Sequence, residues 1–305
     1  ATQTKRKTDQ MNNEKIAQIA SVMQQRLIGI ELEILVPAPE YREFLNAAKN
    51  AIDLRVETYN HTTRTWWKTQ DDVSLHASSA WRVIELVSPP LMPLDLFTQA
   101  KALCEVLERF GATVNQSCGF HVHHDAVKFT PKRLQYTMNL AIKSEAALDC
   151  LVPASRRGNA NNMCKSNVEI ANNWITEGGR VRGDRLRGEE RFRYYKLNLA
   201  SYVRHETIEW RQHSGTVEFE KIILWVALTQ ALTVRSLLKV PQNLEYKNPM
   251  HNVLIQIKWA TCDRDGALIP VSEIHADLCK RVVLRMQAFG FAEEAPRLAP
   301  HVAEV

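Results

Sequence analysis

Three pairs of side chains with chemical potential stand two positions apart in this chain: Glu31 and Glu33, His121 and His123, Glu209 and Arg211. On a β-strand that spacing puts both members of a pair on one face. Glu31 and Glu33 would then lie roughly 7 Å apart at the backbone, within reach of one hard cation or a pair of them. A Glu-x-Glu pair alone would also suit the wet face of an edge strand. Here its neighbours Gly29, Ile30, Leu32, Ile34, Leu35 and Val36 are apolar, so the segment reads as a central strand whose only charges are the two glutamates. His121 and His123, followed by His124 and Asp125, have a spacing that can bind zinc and that equally suits satisfied histidines near a strand end. Glu209 and Arg211 form either a simple intrastrand ion pair or an arginine placed to grip phosphate with two prongs.

The segments that carry these pairs share a period of two. In 27–36, Ile30, Leu32 and Ile34 oppose the glutamates; in 114–125, Phe120 and Val122 oppose His121 and His123; in 206–213, Ile208 and Trp210 oppose Glu209 and Arg211. Shorter runs at 66–75 and 82–88 add Asp72 and Glu85. Helical signals fall between them, over 39–56, over 94–110 with Gly111 at the end, after Thr130-Pro131, over 218–240 before Pro241, and over 272–290. The implied fold class is α+β: an antiparallel sheet with one apolar face against helices and one concave polar face that gathers carboxylates, imidazoles and a guanidinium.

Composition narrows the function classes. With 45% hydrophobic residues in 305, the chain can bury a core and is not a disordered one. A net charge of +5 is modest for a protein that coats nucleic acid, so nucleic acid is not the favoured partner. The longest uncharged apolar run, 222–234, contains Thr229, Gln230 and Thr233 and is too short to span a bilayer. With no secretory signal after the polar start, a cytoplasmic location is expected. Six cysteines without a CxxC pair read as reduced thiols. The expected organisation is a flexible basic tail at 1–15 and a single domain over 16–305, with a basic loop at 178–196 and a helical part at 241–305. Within that loop, 180–196 carries seven basic against three acidic residues. It reads as a solvated loop, a flap over polyphosphate or a nucleic-acid contact.

Taken in order, the runs Gly29-Ile30-Glu31-Leu32-Glu33, Asp72-Val73-Ser74, Ile84-Glu85-Leu86-Val87-Ser88-Pro89-Pro90, Ser117-Cys118-Gly119-Phe120-His121-Val122-His123, Tyr195-Lys196-Leu197-Asn198-Leu199 and Thr207-Ile208-Glu209-Trp210-Arg211 with Gly215-Thr216 resemble the motif series of the amidoligase family. The resemblance spans about 27–238. It implies a glutamine synthetase-like catalytic fold and an ATP-dependent carboxylate-amine ligase that joins small-molecule or peptide substrates. In such a reaction the carboxylate takes the γ-phosphoryl group of ATP, and an amine then attacks the acyl phosphate. Carried over, Glu31, Glu33, Asp72, Glu85, His121 and Glu209 would hold two or more Mg²⁺ ions around the phosphates. Arg211 would stabilise the phosphoryl group in flight, with Glu209 and Glu31 completing the catalytic set. His123 and Asn198 would orient ligands or nucleotide, and Lys196 and Arg193 would contact the nucleotide.

Two other classes compete. A zinc-dependent hydrolase would use His121, His123 and one carboxylate. A non-catalytic polyanion binder would use the basic loop and show steep salt dependence. Crowded carboxylates repel one another without a metal, so removal of Glu31 or Glu209 is expected to leave the metal-free protein's stability unchanged or slightly higher.

Overall fold

The computed structural model describes residues 22–237 apart from 73, 150 and 169–192. The expected tail at 1–15, most of the loop at 178–196, the helix at 272–290 and the helical part at 241–305 lie outside the described residues.

Seven strands occur among the described residues: β1 (Ile28–Pro37), β2 (Arg55–Val56), β3 (Lys68–Gln70), β4 (Trp81–Val87), β5 (Gly119–Asp125), β6 (Leu197–Asn198) and β7 (Thr207–Ser214). They form one sheet in the order β2-β3-β4-β1-β5-β7-β6. Among the described strands only β2 and β3 pair in parallel. The helices are α1 (Tyr41–Ile52), α2 (Pro93–Arg109), α3 (Pro131–Asp149), α4 (Ala200–His205) and α5 (Phe219–Arg235). This is the α+β architecture that the alternating pattern implies, with β1 in the interior of the sheet between β4 and β5.

The odd-even split of β1 explains the layering. Ile28, Ile30, Leu32, Ile34 and Val36 are all at most 1% exposed and build one continuous core with Leu86, Phe120, Val122, Ile208 and Trp210. Phe44 and Ala48 of α1, Leu103 and Leu107 of α2, and Ile222 and Trp225 of α5 belong to the same core. Burying each large apolar side chain there contributes about 1.5–3 kcal/mol. The polar residues of α5 find partners inside this layer: Trp210 donates its indole N–H to Thr233 Oγ1 at 3.0 Å, and His124 Nε2 lies 2.8 Å from Thr229 Oγ1. No helix among the described residues is long and apolar enough to cross a membrane.

Several expected boundaries move for local reasons. The first helix stops at Ile52 because Asp53 turns left-handed, with φ 54°, and residues 55–56 join the sheet. The expected strand at 114–125 begins only at Gly119, because Asn115 Oδ1 accepts from the Ser117 amide at 2.9 Å and closes a turn. The run at 66–75 contributes only the short β3, and Asp72 sits in the loop beyond it.

Candidate active site

Strand register assembles the polar face. Across the sheet, Gln70, Glu85 and Glu33 stand opposite one another in one row, Glu31 stands opposite His121 in the next, and Gly29, His123, Glu209 and Asn198 form a third. Between Phe120↔His213 and Val122↔Trp210 the register slips by one, so His121 faces two residues of β7, Arg211 and Gln212. The bulge ends the period-two pattern of β7. His213 turns to the apolar side, where its ring meets Phe120 at 5.5 Å and Trp225 at 5.1 Å.

Above this face lies a cleft of about 990 Å³, lined by Glu31, Glu33, Asp72, Glu85, His121, His123, Asn198, Glu209 and Arg211. His121 Nδ1 is 3.0 Å from Glu31 Oε2, and its Nε2 is 3.7 Å from Glu33 Oε1. His123 Nε2 lies 3.3 Å from Glu31 Oε1 and 3.9 Å from Glu209 Oε1. Three of the carboxylates have one oxygen held by an amide donor: the Gly119 amide donates to Glu33 Oε2 at 2.5 Å, Gln70 Nε2 to Glu85 Oε2 at 2.6 Å, and Asn198 Nδ2 to Glu209 Oε2 at 2.6 Å. Arg211 donates to the other oxygen of Glu209.

The electrostatics differ from residue to residue. Burial pushes Glu31 upward, but the neighbouring His123 and His121 outweigh it and hold the carboxyl well below the usual range. Glu209 is likewise lowered, because Arg211 and His123 overcome its burial. Burial, and then the charges of Glu31, Glu33 and Asp72, drives Glu85 up to about 8. His123 would fall on burial alone, yet Glu209 and Glu31 raise it to about 9. Glu209 and Glu31 also raise Arg211 against the effect of burial, so its charge is permanent.

Three groups of donors have ligand atoms within 4.8 Å of one another: Glu31 with Glu85 and His121, Glu31 with His123 and Glu209, and Glu33 with Asp72 and Glu85. All six residues expected to ligate metal occur in these groups. His123, expected only to orient ligands, also occurs in one, through its contacts with Glu31 and Glu209. The donor set is mainly carboxylate oxygen, which suits a hard cation such as Mg²⁺ better than zinc. Among the described residues no such group contains both His121 and His123.

Arg193 lines the cleft, with its guanidinium 5.3 Å over the Tyr194 ring. Lys196 does not join it. Its side chain is buried and points to α3, where Nζ pairs with Glu145 Oε1 at 3.0 Å and Asp149 Oδ1 at 2.6 Å. The expectation that it contacts nucleotide is therefore corrected: those carboxylates are far better partners for a buried ammonium than an open cleft. Sequence reasoning passed over several cleft residues, among them Gln70, Lys68 and Arg156. Gln70 and Lys68 lie on the short β3, where period two has too few residues to show. Arg156 lies in the one-turn helix Ala154–Arg156, in a stretch without periodicity.

An acid- and imidazole-lined floor on a mostly antiparallel sheet defines a cleft whose donors could hold a cation. The sequence matches the family described as "Putative amidoligase enzyme" over residues 24–233, most of the chain and every residue of the cleft named above. The chain belongs to the amidoligase family. No curated protein matches it in sequence. Among solved structures it is similar to the crystal structure of the complex between prokaryotic ubiquitin-like protein Pup and its ligase PafA, at 12% identity and a TM-score of 0.34. That match covers 87% of this chain, which spans 58% of the length of the matched one.

Proposed function

We propose that this protein is an ATP-dependent, Mg²⁺-dependent carboxylate-amine ligase that works through an acyl phosphate. The observation that carries the reading is that one donor group, Glu31 with Glu85 and His121, shares Glu31 with the second and Glu85 with the third, so the three suit neighbouring cations. The proton-retaining carboxyl of Glu85, crowded by Glu31, Glu33 and Asp72, fits a floor built for metal, since a cation would take the place of that proton.

Glu31, Glu33, Asp72, Glu85, His121, His123 and Glu209 would hold the Mg²⁺ ions, which when bound would supply neutralisation of the phosphate charge. Asn198 fixes one oxygen of Glu209 and Arg211 the other, so both are positioned before substrate arrives. Arg211 faces the charge that develops on the transferred group, and Arg193 approaches the nucleotide from the cleft wall. The carboxylate attacks phosphorus and releases ADP; the amine then attacks the acyl carbon and releases inorganic phosphate. Small molecules or peptides supply the carboxylate and the amine.

The test is ADP release with Mg²⁺ across a panel of amino acids, polyamines and peptides. A carboxylate and amine pair that stimulates release, with an amide product by mass spectrometry, supports the reading. ADP release that needs no Mg²⁺, or a hydrolase activity restored by zinc without ATP, overturns it.

A further inference from the structure

Arg156 is 3% exposed and faces the cleft, yet no carboxylate pairs with it among the described residues. Its Nη2 donates to the Cys118 carbonyl at 2.5 Å, its Nη1 lies 3.9 Å from Cys164 Sγ, and its Nε has no partner. Other cations near this face are settled, with Arg211 on Glu209 and His123 between Glu31 and Glu209. Lys196 has two carboxylates, and Lys68 directs its protons at Asn60 and Thr62 oxygens. A guanidinium taken out of water with one good hydrogen bond and no counter-charge is expensive, and an anion that arrives from the cleft would remove that cost.

The cleft gives an anion access to this guanidinium, since Arg156 lines it beside His121, Glu33 and Asn161. A Cβ added at Gly119 would sit 2.8 Å from His121 Nε2, 3.2 Å from Glu33 Oε2 and 3.4 Å from Arg156 Nη1, so these three side chains close around the glycine. The backbone of Gly119 is not in the left-handed region, so its conformation does not demand glycine; the close approach of those side chains does. We propose that Arg156 is an oxyanion-binding residue, which receives a substrate carboxylate or phosphoryl oxygen from the cleft. A guanidinium suits this role because its fork matches two oxygens at once. The proposal rests on the ligase reading only for the identity of the anion.

The test needs neither nucleotide nor turnover. Thermal melting of the full chain is followed with Mg²⁺ present, at matched ionic strength, in chloride, inorganic phosphate or acetate, for wild type, Arg156→Met and Arg156→Lys. Wild type should gain about 2–4 °C or more in phosphate, acetate or both over chloride, since an anion that binds only the native state stabilises it by mass action. A gain in phosphate alone assigns the site to phosphoryl oxygens, and a gain in acetate alone to a carboxylate. Arg156→Met should melt no lower than wild type in chloride and show no gain, while Arg156→Lys keeps part of it. The proposal fails if wild type shows no gain, if Arg156→Met shows the same gain, or if both variants melt far below wild type in every salt, which would make Arg156 a strut for the Cys118 carbonyl. Loss of the ligase reading would appear instead as absent ADP release with these melting results intact.

Discussion

On the β5 and β7 side of the cleft, Glu31 and Glu209 each lie beside His123, which is raised to about 9, and Glu209 also pairs with Arg211. On the β3 and β4 side, Glu85 faces Glu31, Glu33 and Asp72, with only the neutral Gln70 as a bonded partner. The residue types are alike, but the two sides answer the removal of metal in opposite ways. The first keeps its carboxylates ionised through built-in counter-charges. The second stores a proton on Glu85 until a cation displaces it. This division revises the expectation that Glu31 and Glu209 are the crowded carboxylates: the repulsion falls on Glu85.

The comparison breaks most sharply at Glu31, which belongs to two donor groups and links the two sides. Glu31→Gln should lower Mg²⁺-dependent ADP release by on the order of 10³-fold, comparable to the loss of a preorganised electrostatic group in other active sites. A variant within a few-fold of wild type would show that the groups act separately.

Glu209→Ala should destabilise the protein even in chelator, by about 3–5 kcal/mol, because it strands Arg211 as a buried unpaired charge. Urea denaturation measures this. Full recovery in the double variant Glu209→Ala with Arg211→Met would confirm that the stranded charge is the cause. An unchanged midpoint in the single variant would place Glu209 with the crowded side after all.

The supporting amides come next. Asn198→Ala and Gln70→Ala each remove a donor to a carboxylate oxygen and should weaken Mg²⁺ binding by about 10- to 100-fold, as calorimetry would show. The two differ in a second readout. Loss of Gln70 frees an oxygen of Glu85, whose carboxyl already holds a proton at neutral pH, so its effect should fade below pH 7, whereas that of Asn198 should not.

The smallest effect expected is the most direct test of the stored proton. Glu85 titrates near 8 in the folded protein, above its ordinary value of 4.5. Its contribution to stability is therefore fully present below about pH 4.5 and is lost as the pH rises through about 8. In chelator, Glu85→Gln should remove that part of the pH dependence and add on the order of 1 kcal/mol at pH 8. His123, raised to about 9, loses its own contribution between 6.5 and 9 in both proteins, so the difference between them isolates Glu85. With Mg²⁺ the advantage should reverse, since the variant lacks a ligand.

The sequence by itself determined which face of each long strand is polar. Glu31 and Glu33, His121 and His123, Glu209 and Arg211 alternate with residues that must be buried, and a side-chain period of two leaves no other placement. Ten residues of β1 and eight of β7 are enough for that pattern to show. The tertiary structure decided what a one-dimensional pattern does not hold, namely which residue faces which across strands. Register put Glu33 beside Glu85 and Glu31 beside His121, and so fixed which carboxylates are neutralised and which are crowded. A one-residue bulge set Arg211 and Gln212 against His121. Lys196 stands two residues before Asn198, yet its side chain turns to Glu145 and Asp149 on α3, partners separated from it by 51 and 47 positions. Arg156 shows the same limit from the other direction, since its place in the cleft comes from a carbonyl 38 residues away and from the side chain that Gly119 lacks. Coulomb forces and desolvation act through space, and the chain records only the order in which their participants are joined.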